Sequence, residues 1–184
     1  MKIFIRFIIS ILILSLSNVS FSLAETPEEK GLRLAIEADL TGEGFVDTIS
    51  QSQMTLRNAQ GEESIREFSS KTLEVDNDGD KSIFIFHHPK DVKGTATLTF
   101  THKTGPDDQW LYLPALKRVK RISSDNRSGA FVGSEFAYED LASQEVEKYT
   151  YKWIEDVPCP GDEAEMCYIS ESYPVEKSSG YTRR

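Results

Sequence analysis

Ser82-Ile83-Phe84-Ile85-Phe86-His87 and, after a turn from Pro89 to Gly94, Thr95-Ala96-Thr97-Leu98-Thr99-Phe100-Thr101 are the stretches that decide the fold. Both are rich in β-branched and aromatic residues, so each reads as a strand, and the short turn between them implies antiparallel pairing. The first stretch is apolar on both faces, which predicts cover on two sides. The second alternates strictly. Its threonines occupy one face and Ala96, Leu98 and Phe100 the other, which predicts a threonine face in water and an apolar face turned inward.

The same pattern continues on either side. Asn58-Ala59-Gln60-Gly61, Asp76-Asn77-Asp78-Gly79-Asp80 and Thr104-Gly105-Pro106-Asp107-Asp108 are turn clusters between further β-type runs. The expected strands are 48–58, 62–75, 81–88, 95–103, 109–114, 117–122, 145–156 and 166–175. Ahead of them the spacing predicts one helix over 27–40. Thr26 can cap it, Pro27 suits its first turn, and Glu28 and Glu29 favour its positive end. Leu32, Ala35, Ile36 and Leu40 recur at helical spacing until Gly42 and Gly44 stop it. Segment 123–144 reads as a Ser, Asn and Gly loop leading into a short helical turn around Phe136, Tyr138 and Leu141. With no internal repeat and no linker, the fold class is α+β, a single domain over 25–184 built on a large antiparallel sheet.

The chain has 184 residues, and 1–24 read as an export leader: Lys2 and Arg6 precede an apolar run from Phe7 to Leu16, and Ser22-Leu23-Ala24 supplies small residues for cleavage. The run is too short to span a bilayer. Glu25, where a bacterial lipoprotein would need cysteine, points to a soluble periplasmic protein. A chain of this size can bury about 70% of the surface exposed when unfolded, enough for a core without metals. Of 21 Lys and Arg, Lys2 and Arg6 leave with the leader, so 19 cations face 30 Asp and Glu, a net charge of −11. That balance disfavours nucleic acid as a partner.

Cys159 and Cys167 are the two cysteines, and in an oxidising compartment they read as one disulfide closing a hairpin-like loop. A metal site there would need a nearby histidine, and none lies within reach in sequence. His87 and His88 are neighbours on a strand and point to opposite faces, so with His102 they make a poor zinc set. Asp76 to Asp80 is a turn rather than a calcium loop, because its glycine stands fourth instead of sixth. Nucleophile elbows and phosphate loops are missing, and paired carboxylates are unspecific in so acidic a chain. The expectation is no enzyme, no cofactor and no metal. Against the acidic background, Lys117, Arg118, Lys120 and Arg121 lie within Leu116 to Ile122. They read as a docking patch for anionic headgroups or an acidic partner, or as a solvated edge strand guarded by charge. Tyr149, Tyr151 and Trp153 share a strand face, as do Trp110 and Tyr112; such rings either fill a core or line an apolar cavity.

Gln109-Trp110-Leu111-Tyr112-Leu113-Pro114-Ala115-Leu116-Lys117-Arg118-Val119-Lys120-Arg121-Ile122, then Gly133-Ser134-Glu135-Phe136-Ala137-Tyr138-Glu139-Asp140-Leu141, preceded by Pro89-Lys90-Asp91-Val92-Lys93-Gly94-Thr95, resembles the signature of the outer membrane lipoprotein-sorting protein family, in a LolA-like branch. The resemblance implies an unclosed antiparallel β-barrel with a helical lid, a cavity for acyl chains of a lipoprotein or lipid, and association with RND-type permeases through transient membrane contact. Relatives of this kind continue past the equivalent of Gly180 to Arg184 with further strands, so a barrel incomplete at its C-terminal end is expected.

From strand faces, the cavity candidates are Phe84, Phe86, Leu98, Phe100, Trp110, Tyr112, Tyr149, Tyr151 and Trp153, and the lid candidates are Leu32, Ile36, Leu40, Phe136 and Leu141. Two roles follow: a periplasmic carrier with such a cavity, or a non-carrier adaptor of an export permease with a filled core. An exported hydrolase would need a nucleophile and base that the sequence does not cluster.

Overall fold

The computed structural model describes residues 24–184; apart from Ala24, the expected leader lies outside the described residues. Among the described residues there is one α-helix, α1 (Pro27–Gly42). Thr26 caps it in the manner its sequence predicts: its hydroxyl accepts from the Glu29 N–H at 3.2 Å, and the Glu29 carboxylate accepts from the Thr26 N–H at 2.8 Å. Eight strands follow: β1 (Asp47–Arg57), β2 (Glu63–Leu73), β3 (Lys81–His88), β4 (Ala96–Phe100), β5 (Asp108–Leu113), β6 (Arg118–Ile122), β7 (Tyr149–Cys159) and β8 (Asp162–Pro174).

The first six form one unclosed antiparallel sheet in chain order, so β1 and β6 are its edges. The last two form a separate hairpin, which corrects the expectation of one large sheet. The hairpin turns through Pro160 and Gly161, whose φ of 87° suits glycine, and Cys159 and Cys167 are joined as a disulfide across it. Segment 123–145, expected as a loop and one helical turn, is a chain of short 3-10 turns. It lies on one face of the sheet. Phe131 and Phe86, both about 1% exposed, meet there with ring centroids 5.6 Å apart, and Met54, Phe68, Tyr138 and Leu141 pack around them.

This cover reverses the expected polarity of β4. Thr95, Thr97, Thr99 and Thr101 are at most 5% exposed, whereas Ala96, Leu98 and Phe100 are only half-buried. Threonine tolerates the dry side because its methyl packs while two of the hydroxyls find partners: Gln109 donates to Thr99 Oγ1 at 3.1 Å and the Ser143 N–H to Thr101 Oγ1 at 3.2 Å, whereas Thr97 Oγ1 is buried without one. Gln109 also donates to the Tyr138 carbonyl at 2.8 Å, tying the covering segment to the sheet.

Helix α1 takes a different position from the lid expected of it. It packs chiefly on β7, and Gly31 is the point of closest approach. A Cβ there would stand 2.7 Å from the Trp153 amide nitrogen and 2.8 Å from that of Lys152, backbone atoms that cannot rotate away. Lys30 lies 3.9 Å from the Trp153 ring centroid and pairs with Asp156 at 3.1 Å, fixing the same crossing. Gly31→Ala is expected to lower stability by about 1–2 kcal/mol in urea unfolding, the overpacking outweighing the helix propensity gained. A midpoint unchanged or raised would show that the crossing has slack.

Candidate functional site

Residues paired across an antiparallel sheet share a face, so the register sorts the side chains of β1 to β6 into two surfaces. One surface carries Thr48, Thr72, Ser82, Thr99 and Gln109 in one row and Ser50, Ser70, Phe84, Thr97 and Leu111 in the next, and segment 123–145 lies over it. The other carries Asp47, Leu73, Lys81, Phe100 and Asp108; Ile49, Lys71, Ile83, Leu98, Trp110 and Arg121; and Gln51, Ser69, Ile85, Ala96, Tyr112 and Val119. Here Ile83, Leu98 and Trp110, with Ile85, Ala96 and Tyr112, run unbroken across the middle strands, all but Tyr112 half-buried, and the apolar residues toward the edges are the open ones. Ile49 is 68% exposed, Leu73 50% and Val119 66%. Phe100 and Trp110 meet edge to face at 5.3 Å, and the Lys81 ammonium stands 4.8 Å from the Phe100 ring. A hollow of about 360 Å³ lies along Ile49, Leu73, Ile83 and Leu98, with Lys71 and Lys81 at its margin.

The structure divides the nine cavity candidates among three surfaces. Phe84 and Phe86 belong to the covered core, and Leu98, Phe100, Trp110 and Tyr112 to the open face. Tyr149, Tyr151 and Trp153 lie on the hairpin, on the strand that α1 crosses. Desolvation there pushes the Tyr151 phenol up to about 12. Nine rings and side chains from one strand pattern therefore do not line one cavity. The lid candidates divide as well. Leu32, Ile36 and Leu40 remain substantially exposed on α1, Phe136 is exposed, and Leu141 packs into the core beneath segment 123–145. Strand-face reading missed Ile49, Leu73, Ile83 and Val119, which the turn lengths could have placed on the face of Leu98 and Tyr112 by fixing the register.

Two larger hollows flank the helix. One, of about 730 Å³, runs between Leu34, Ala35 and Ala38 of α1 and Tyr151, Cys167 and Tyr168 of the hairpin. The other, of about 740 Å³, is lined by Asp39, Glu43, Glu74, Asp76, Asp78, Asp80 and Glu145 beside Lys103. Burial pushes the Glu145 and Asp80 carboxyls up. Among the described residues no group of three or more His, Cys, Asp or Glu is arranged to hold a metal ion.

The turn at 76–80 is anchored by His102. Its Nδ1 lies 2.9 Å from Asp78 and its Nε2 3.5 Å from Asp108, while Asp78 also accepts the Lys103 N–H at 2.9 Å. Arg121 from β6 binds the other oxygen of Asp108. His102 and the Lys103 and Gly79 N–H groups hold Asp78 down at about 2, and the hydrogen bond that His102 donates to Asp78 raises its imidazole above its ordinary 6.5.

A family model described only as an uncharacterized protein matches residues 78–184. The fold is similar to a solved outer membrane lipoprotein-sorting protein domain from Vibrio parahaemolyticus, with 52% identity and a TM-score of 0.80 over 85% of this chain and 65% of that one. It is also similar to a DUF1329 family protein from Desulfovibrio piger, with 29% identity and a TM-score of 0.77 over 86% of this chain and 66% of that one. The chain thus spans about two thirds of the length of either. No curated protein matches it. Among the described residues no helix is long and apolar enough to cross a membrane.

Because the His102 proton is held by Asp78 and Asp108 in the folded state, its contribution to stability is full below pH 6.5 and is lost as pH rises through the raised folded value. The depressed Asp78 contributes above 3.8 and its share is lost only as pH falls toward about 2. Unfolding midpoints in urea are therefore expected to fall as pH climbs above 6.5, and His102→Gln is expected to flatten that slope. An equal slope in the variant would assign the pH dependence to other groups.

Proposed function

We propose that this chain, 52% identical to a solved outer membrane lipoprotein-sorting protein domain, is a periplasmic carrier whose open sheet face receives the acyl chains of a lipoprotein or lipid on their way to the outer membrane. The observation that carries this reading is the apolar face through Ile83, Leu98, Phe100, Trp110 and Tyr112, with the exposed Ile49 and Leu73 beyond Lys71 and Lys81, which segment 123–145 leaves uncovered while it covers the hydroxyl face. Soluble proteins rarely leave so large an apolar surface open without a ligand or partner for it.

The energy is adequate without covalent chemistry. At ~0.8 kcal/mol per buried CH₂, a sixteen-carbon chain gains ~12 kcal/mol before ordering costs. A face that is open rather than enclosed returns part of that gain, which suits a cargo that must also leave. Lys71 and Lys81 stand at the margin of the hollow and can meet an anionic headgroup while their alkyl stems extend the apolar wall. Loading from an RND-type permease and export by a cleaved leader over 1–24 belong to the same proposal.

Binding of a fluorescent fatty acid tests it. Ile49→Asp and Leu73→Asp, both at exposed positions, are expected to weaken uptake about tenfold or more, because a carboxylate on the wall must be desolvated beneath the chain. Phe136→Asp, an exposed position on the segment over the other face, is expected to leave uptake unchanged. Uptake lost in Phe136→Asp alone would move the site to the covered side and overturn this reading, and a wild-type chain that takes up no probe would leave the adaptor role.

A further inference from the structure

The basic run takes a defined place in the fold. It is the outer edge of the sheet: β6 is hydrogen-bonded to β5 on one side, and no strand pairs with its other side among the described residues. Arg118 and Lys120 point to the face of Leu111 and Leu113, and Arg121 points with Val119 to the open apolar face, opposite Trp110 and Tyr112. Arg121 is paired with Asp108, whereas Lys117, Arg118 and Lys120 form no ion pair among the described residues. Val119, 66% exposed, stands between Arg118 and Lys120, and Leu116, 63% exposed, directly precedes Lys117.

We propose that this edge is a docking surface for an anionic lipid bilayer, with headgroup phosphates on Lys117, Arg118 and Lys120 and with Leu116 and Val119 entering the interface. It rests on the carrier role proposed above, since it supplies the surface through which such a carrier meets the membrane. Three features favour a bilayer over an acidic protein. Arg118 and Lys120 project to one face of the strand and Val119 to the other, so a rigid partner on either face meets only the cations or only the apolar group, whereas a mobile headgroup layer entered edge-on reaches both. Exposed apolar side chains threaded among cations match the interfacial pattern in which bases bind headgroups and aliphatic groups enter the acyl boundary. Charge alone would guard an edge strand from pairing; Leu116 and Val119 have no part in that defence.

The placement also orients the molecule. The chain is acidic overall, with a net charge of −9, so an anionic surface repels most of it and attracts the β6 edge. Docked by that edge, the apolar face that begins at Val119 and Tyr112 abuts the bilayer, and an acyl chain can pass between lipid and sheet without crossing open water.

The test is flotation of the full chain with vesicles of phosphatidylglycerol mixed with phosphatidylcholine, against vesicles of phosphatidylcholine alone. R118Q/K120Q, both exposed positions, is compared with wild type after a thermal transition shows that it folds. Each basic residue near an anionic surface is worth a constant factor, so the double variant is expected to bind the mixed vesicles about thirty-fold more weakly. Wild-type binding is expected to fall with added salt and with loss of phosphatidylglycerol. Equal binding by the variant, indifference to phosphatidylglycerol, or no vesicle binding at all would overturn the proposal, the last being the result if an acidic protein is the true occupant. Fatty-acid uptake in solution separates the two roles: R118Q/K120Q is expected to take up the probe as wild type does. Vesicle binding lost in the variant by a chain that takes up no probe would keep the docking surface and defeat the carrier.

Discussion

The structure depends on which side of the six-stranded sheet receives cover. Segment 123–145 covers the side bearing threonine, serine and Gln109, and the hydrogen bonds from Gln109 to Thr99 and to the Tyr138 carbonyl hold it there. A buried hydroxyl or amide is tolerated when it is paired, and a strand of alternating threonines provides short polar groups that can be paired without opening a gap. Cover from Phe131, Tyr138 and Leu141 then makes a compact core with Phe68 and Phe86. The consequence falls on the opposite face, where Ile83, Leu98, Phe100 and Trp110 remain accessible because the chain's irregular segment has been placed elsewhere.

Alternation in the sequence identified strands, turns and the helix cap because those features are set by neighbours: Thr26 at the helix start, Gly61 at a turn, the period of two in Thr95 to Thr101. It also sorted Leu98 from Thr97. What it could not assign was the identity of the covered face, because that is decided by residues some thirty positions away in 123–145, which carry no period to read. The usual preference for burying the apolar side pointed the wrong way for β4. Tyr149, Tyr151 and Trp153 do share a face, yet their strand belongs to a separate hairpin crossed by α1, and only the non-local approach of Gly31 to the Lys152 and Trp153 backbone fixes that. Ile49 and Leu73 lacked any signal on their own, since their meaning comes from register against Lys71 and Lys81.

The hairpin and helix make a second body of contacts, secured to the covering segment by ion pairs. Arg184 pairs with Asp140 at 2.7 Å and Glu176, just after β8, with Arg127 at 2.5 Å, while Lys148 beside β7 pairs with Asp107 just ahead of β5, all but Glu176 with little solvent exposure. The Ser172 and Arg184 backbones exchange two hydrogen bonds, so residues 179–184 are held against β8 and against Glu139 and Asp140. Pairs this dry owe their place to geometry more than to net energy. Their effect is to fix segment 123–145 from outside while Gln109 fixes it from the sheet, leaving the open face as the part of the sheet that no other element restrains among the described residues.

An open apolar face is also a hazard, because copies of the chain can meet through it. The rows answer this locally. Ile49, Ile83, Leu98 and Trp110 share their row with Lys71 and end at Arg121, and Leu73 and Phe100 share theirs with Lys81, Asp47 and Asp108. Two copies brought face to face would have to desolvate those charges. An acyl chain is narrower: it can lie along the apolar residues while the ammonium groups stay wet beside it, their stems adding contact. The same arrangement therefore discriminates by width, disfavouring a flat protein surface and admitting a thin hydrocarbon. This follows from where Lys71, Lys81 and Arg121 fall in the register, without any further element over the sheet.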